Sequence, residues 1–249
     1  MESVTYLHDV VYVLCSRSST ILRFNSATSE VLADIDVSGF MSPHDIAACE
    51  QTSHLYVADF ECVWRVSADG AAVQRWLPRH GTMKPWTLSV RSTRLLVTSP
   101  ETRQLMQFDA DGEELRRIQL PRHILPRHAV ESQAGTFVMS CSDTELDLDL
   151  VSLVSEDGQL IRQFSGCRLP SLRWPNLLDT DSRGKIFLAD TYNRRVLLLD
   201  AQLELRRIII DEHQLNDDES LRGLCYVEQT GHLLVAMQNT VAVFDLLGH

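Results

Sequence analysis

The chain has 249 residues, 44% of them apolar and 23% charged, with a formal net charge of −11 that opposes non-specific binding to nucleic acid. No apolar run reaches the roughly 20 residues of a membrane helix, and the N-terminus lacks the basic and apolar regions of a secretory leader. The six cysteines form no CxxC pair, so zinc and a disulfide framework are not expected, and a reducing, cytoplasmic compartment with no membrane partner is.

Along the chain one landmark recurs every 42 to 46 residues: Asn25-Ser26, Asp69-Gly70, Asp111-Gly112, Asp157-Gly158, Asp200-Ala201 and Asp245-Leu246. Each closes an apolar, strand-like run, from residues 21–24 in the first unit to 241–244 in the last. Asp-Gly between alternating apolar segments signals a hairpin, read here as a type I′ turn with both central residues at positive φ. Repeated end to end, a unit of this length means a propeller blade. Six units predict an all-β, six-bladed β-propeller of four-stranded antiparallel blades. The boundaries fall near 1–40, 41–82, 83–123, 124–170, 171–214 and 215–249, within a single domain.

Residues 4–7 open blade one as its inner strand. Pro43, Pro85, Pro126 and Pro175 each precede a later inner strand, where a missing N–H breaks no ladder bond, and Arg222 takes that place in blade six. Second strands are expected at 55–58, 95–97, 137–139, 186–189 and 233–236, with outer strands rich in Arg and Glu, as at 114–118 and 205–210. The chain stops after the third strand of the sixth unit. An outer strand is therefore missing there, and an excised domain is expected.

One blade carries a family pattern. Residues 182–200, including Phe187-Leu188-Ala189-Asp190-Thr191-Tyr192-Asn193-Arg194-Arg195 and preceded by Trp174-Pro175-Asn176, resemble an NHL repeat; residues 55–59 keep half of it. Elsewhere the resemblance rests on periodicity, proline and turn. The C-terminus resembles that of tripartite-motif NHL proteins, which implies a parent with RING and B-box regions. Such a parent would act as a ubiquitin ligase, with this domain recognising its substrate; nothing in these 249 residues would perform the transfer. Asp190 is expected to cap amides of the loop after it, Asn193 to take a left-handed turn, and Arg194 or Arg195 to pair with Asp190 or with a neighbouring blade.

The loops leading into blades three, four and five concentrate Arg, Lys, His and Trp around their prolines. They nominate Arg79, Lys84, Trp86, Arg122, His123, Arg127, His128, Arg173, Trp174, Asn176, Tyr192 and Arg194 as partner-binding residues. Acid at 143–149 and 211–219 is expected to polarise the same face. Residues 142–150, around the first of these stretches, read as an elongated loop with a strand extension, or as a calcium-like oxygen cluster that lacks the Gly and terminal Glu of an EF-hand loop. Basic groups among aromatics suit single-stranded RNA, and equally an acidic or phosphorylated peptide. The net charge favours a protein or peptide partner over RNA. A continuous basic groove with exposed Trp86 and Trp174 is the signature of RNA binding; buried tryptophans and broken charge are that of a plain scaffold.

Catalysis is not expected. His44, Trp86, Arg127, Asn176 and Gly223 are the first positions after the prolines or Arg222 and are taken to face the axis, with Asp45 and His128 turned away. A hydrolytic metal site wants about three His or carboxylate ligands. His44, His128 and Asp179 make the one cluster that can be assembled, and it is short of that pattern. No nucleophile elbow, P-loop or dinucleotide fingerprint occurs. No catalytic residue, metal or cofactor is therefore assigned, and a metal-dependent hydrolase or lyase in the axial channel is the third reading.

Overall fold

Continuous buried runs in second strands, as at 55–59 and 186–190, cover both faces of a sheet, so the sheets stack face to face around an axis. The computed structural model describes residues 1–15, 18–60, 62–77, 84–132, 135–166, 170–215 and 220–246. Blade one is β1 (Ser3–Leu7), β2 (Val10–Leu14), β3 (Thr20–Asn25) and β4 (Val31–Asp36); blade two is β5 (Asp45–Cys49), β6 (His54–Asp59), β7 (Cys62–Ser67) and β8 (Val73–Leu77). Blade three is β9 (Thr87–Arg91), β10 (Arg94–Ser99), β11 (Gln104–Phe108) and β12 (Glu114–Gln119); blade four is β13 (Ile124–Glu131), β14 (Phe137–Asp143), β15 (Leu148–Val154) and β16 (Leu160–Phe164). Blade five is β17 (Pro175–Thr180), β18 (Ile186–Asp190), β19 (Arg195–Leu199) and β20 (Leu205–Ile210). Blade six has, among the described residues, three strands: β21 (Leu221–Val227), β22 (His232–Met237) and β23 (Val241–Asp245).

Every ladder is antiparallel and joins neighbours in sequence, and the first strand of each blade lies nearest the axis. The apolar cores sit between blades: Leu88, Leu95 and Val97 pack on Ala47, Tyr56 and Ala58, and Phe187 and Val196 on Leu224, Leu233 and Val235. Cys49 and Cys141 are buried free thiols, and burial pushes Cys141 up to about 11. Cys167 lies outside the described residues.

The landmark turns are not type I′. Gly70, Gly112 and Gly158 take φ of 81°, 90° and 83°, but the preceding aspartates do not adopt positive φ. Each is a type I turn closed by one left-handed glycine, as in the bond from Gly70 N to Ser67 O at 2.8 Å. The turn carboxylates and amide instead cap their own loops: Asn25 accepts from Ala27 N and Thr28 N, and Asp200 from Gln202 N and Glu204 N.

The ring closes where β21 meets β1. A Cβ on Gly223 would lie 2.8 Å from Val4 N, 3.0 Å from Ser3 Cα and 2.9 Å from the Ala236 Cβ. Two of those neighbours are backbone and cannot turn away. Gly223→Val is therefore expected to cost about 1–3 kcal/mol through overpacking, a fall in Tm of roughly 2–12 °C for a domain of this size. An unchanged Tm by calorimetry would contradict so close an approach.

Candidate functional site at the channel mouth

Adjacent inner strands are not laddered to each other, so their backbone groups facing the axis need other partners. Polar side chains supply them as rungs from blade to blade. Asp45 accepts from Leu88 N at 2.7 Å, from Ile46 N at 2.9 Å and from Ser3 Oγ at 2.6 Å. His128 Nδ1 accepts from Leu178 N at 3.3 Å while Nε2 lies 3.2 Å from Leu88 O, an arrangement that calls for the neutral Nε2–H tautomer. Burial lowers the His128 pKa and raises that of Asp45. Asp179 accepts from Tyr226 N at 2.6 Å and Thr180 N at 2.7 Å.

These contacts correct the sequence reading twice. Asp45 and His128 face the channel rather than away from it. His128 and Asp179 hold backbone amides, and His44 lies instead at the mouth, so the three do not converge. Among the described residues, no three His, Cys, Asp or Glu side chains are placed to share a metal ion.

Burial pushes the Asp179 carboxyl up to about 6 from 3.8. Between about pH 4 and 6 the folded chain keeps a proton that the unfolded chain has released, so this group's contribution to stability declines as pH rises through that window and is level above it. A carbon-13 titration of the Asp179 carboxyl is expected to centre near 6; a midpoint near 3.8 would contradict it.

Above the rungs the channel widens into a cavity of about 690 Å³, lined by Glu2, His44, Asp45, Phe60, Lys84, Pro85, Trp86, Thr87, Pro100, Glu101, Leu125, Pro126, Arg127, Trp174, Asn176, Leu177, Leu221 and Arg222. Three bulges build it. The register of the inner strands shifts between Pro126 and His128, Pro175 and Leu177, and Leu221 and Gly223. Each shift leaves one residue outside the ladder: Arg127, Asn176 and Arg222, all three in the cavity wall. Gly223, expected to face the axis, packs against β1 instead.

The wall is aromatic and its charges are matched. Trp86 is 48% exposed and Trp174 39%. Trp86 lies on His44, ring centroids 4.5 Å apart, and Trp174 stacks on Tyr192 at 5.8 Å. Arg127 covers the Trp174 ring at 3.4 Å and reaches Asp149 at 3.3 Å and Ser142 Oγ at 2.7 Å. Asp149 also takes Trp174 N at 2.7 Å. Lys84 pairs with Glu101 at 2.8 Å and lies over Phe60 at 5.5 Å. Acid and base thus meet in the face rather than dividing it. The tryptophans are exposed and the charge is broken, a combination neither signature anticipated.

Of the nominated residues, the structure brings Lys84, Trp86, Arg127, Trp174 and Asn176 together. His128 lies deeper in the channel. Arg122 is an exposed turn residue, and the His123 carbonyl accepts from Thr144 N at 2.8 Å across the mouth of the extended β14–β15 hairpin. Arg173 lies over the Tyr192 ring at 5.9 Å outside the cavity, and Arg194 donates to Leu215 O at 2.9 Å. Arg79 lies outside the described residues. Glu2, Phe60, Glu101 and Arg222 were missed. Phe60 had a signal: it follows Ala58-Asp59 as Thr191-Tyr192 follows Ala189-Asp190.

That alignment also marks the clasp that fixes the loops. Asp59 accepts from Met41 N, Ser42 N, Phe60 N and Trp64 Nε1, and Asp190 from Arg173 N, Asn193 Nδ2 and Arg195 Nε. Asp190 therefore caps the loop leading into its blade rather than the one after it. Arg195 is its ion-pair partner, and Arg194, not Asn193, takes the left-handed conformation at φ 50°.

No protein-family model matches the chain, and no curated protein matches it; the NHL and tripartite-motif resemblance gains no support from either. Solved structures share the propeller. One from a nidogen/laminin complex has TM-score 0.69 at 15% identity over 89% of this chain and 83% of its own. Streptogramin B lyase has TM-score 0.66 at 10% identity over 97% and 92%. A catalytically inactive variant of virginiamycin B lyase from Staphylococcus aureus with quinupristin has TM-score 0.68 at 11% identity over 96% and 78%. At such identities the likeness is one of fold. It nevertheless overturns the expectation that this chain is no enzyme, because lyases share the propeller fold. What stands is an all-β, six-bladed β-propeller with a built cavity at its channel mouth.

Proposed function

We propose that the chain recognises a protein or peptide ligand at the channel mouth, seating an apolar or aromatic side chain among Phe60, Trp86 and Trp174. The observation that carries this is the cavity of about 690 Å³ with exposed aromatics in its wall. Covering a further 100 Å² of apolar surface on such rings is worth about 2–3 kcal/mol. The cations that would have met phosphate are already engaged by Asp149 and Glu101, which supports a peptide over RNA. A nidogen/laminin complex among the structures of like fold is in keeping with a protein ligand. Substrate recognition within a ubiquitin ligase would use such a site, and rests on the resemblance alone.

Selection of a displayed peptide library on the wild-type chain, with Trp86→Ala as the counter-target, tests the reading. Enriched peptides should carry aromatic or aliphatic anchors and prefer the wild type at least tenfold. Peptides binding both alike would overturn it. So would RNA-pool binding that falls steeply with salt and is lost in Arg122→Ala with Arg127→Ala. Mass spectrometry of the recovered ligand reads chemistry separately. A changed mass would make the mouth a reaction site, with His44, whose pKa burial lowers, as the imidazole in its wall.

A further inference from the structure

The mouth is matched in charge but not in hydrogen bonding. Each cation in its wall faces an acid of the chain: Arg127 holds Asp149, Lys84 holds Glu101, and Arg222 lies 4.0 Å from Glu2. The neutral donors have no such partner. Of the four tryptophans, Trp64 donates from Nε1 to Asp59 at 3.1 Å, and Trp76 packs on Tyr56 at 4.8 Å. Among the described residues, Trp86 Nε1 and Trp174 Nε1 find no acceptor. Nor does the side-chain amide of Asn176, which the bulge in β17 leaves outside the ladder. All three residues line the cavity.

The occupant that completes such a wall is uncharged, presents apolar rings, offers carbonyl oxygens and brings few N–H groups. An ordinary extended peptide carries one N–H for every carbonyl, and in the mouth those groups would meet other donors. A sugar brings hydroxyls that seek acceptors, and Asp149 and Glu101 already hold cations. A proline-rich segment fits each requirement. Proline has no N–H, and the polyproline II helix leaves every carbonyl without an internal bond. Aromatic-lined grooves suit that helix, which is formed before binding and so loses little entropy there.

We propose that the occupant of the mouth is a proline-rich segment in the polyproline II conformation, an inference that rests on the recognition site proposed above. Its rings pack on Trp86 and Trp174, while the two indole N–H groups and the Asn176 amide donate to its carbonyls.

The probe is octaproline added to the full chain, read on the indole N–H resonances of the wild type. Those of Trp86 and Trp174 should move downfield and saturate at millimolar peptide as new hydrogen bonds form. Those of Trp64 and Trp76 should stay where they are. Octa-D-proline, which winds with the opposite hand, should move none of them. Asn176→Asp exchanges the donor for an acceptor; it should weaken octaproline binding by about tenfold, the weight of one hydrogen bond, at an unchanged Tm. Indoles that stay fixed under octaproline, or that respond alike to its mirror image, would overturn the choice of ligand. A display-selected peptide without proline that moved the same two signals would then leave the recognition site standing; its failure to do so would remove both. Maltohexaose moving them in place of octaproline would make the mouth a sugar site and overturn the proposal.

Discussion

Asp190→Ala is expected to lower the Tm by roughly 6–20 °C, following from a loss of about 3–5 kcal/mol when one partner of a buried ion pair is removed. Asp190 is fully buried, and its carboxylate holds Arg195 Nε at 2.7 Å, Arg173 N at 2.8 Å and Asn193 Nδ2 at 2.8 Å. Without it the guanidinium stays buried with the carbonyl of Pro170, 2.7 Å away, as its remaining anchor. The damage is local as well as global, because Arg173 leads directly into Trp174. Asp190→Ala with Arg195→Met should recover part of the loss, since no unpaired charge is then buried. Calorimetry of the three chains decides it: a single variant within 2 °C of wild type would contradict a structural role for the clasp.

Trp86→Ala is expected to weaken ligand binding by about 30- to 1000-fold, the 2–4 kcal/mol typical of an aromatic anchor, while leaving the Tm within about 2 °C of wild type. The two readouts separate because the indole is half exposed and its main contact is the His44 ring, whereas its backbone stays fixed by the bond from Trp86 N to Thr98 O at 2.9 Å. Trp86→Phe should restore most of the affinity. Lys84→Ala should change it little, because Glu101 already holds the ammonium. Titration calorimetry with a selected peptide reads affinity, and a loss of stability matching the loss of affinity would mean that Trp86 serves the fold alone.

The blades were legible because turn spacing and apolar runs are local. The landmark turns locate the third strands, and residues 241–245 announce the last of them. The mouth was legible only in part. Bulges at Pro126–His128 and Leu221–Gly223 shift the inner strands by one residue, and a one-residue shift exchanges the faces of a strand. Proline marks strand entries and bulges alike, and glycine bulges and close approaches alike, so Pro126 and Gly223 did not single out the shift, and Gly223 was set on the axis while Arg222 was not. The ion pairs were hidden for another reason. Asp149 is 22 positions from Arg127 and 25 from Trp174, and no spacing rule joins them. Their meeting turned an expected basic patch into a neutral, aromatic wall.

Amide hydrogen exchange of the full chain, with and without a selected peptide, tests the location of the site most directly. Slowed exchange at residues 84–87, 125–127 and 174–177 is the expected result. Protection confined to the opposite end of the channel, at residues 179–182 and 226–229, or to the rim, would contradict a recognition site at the channel mouth.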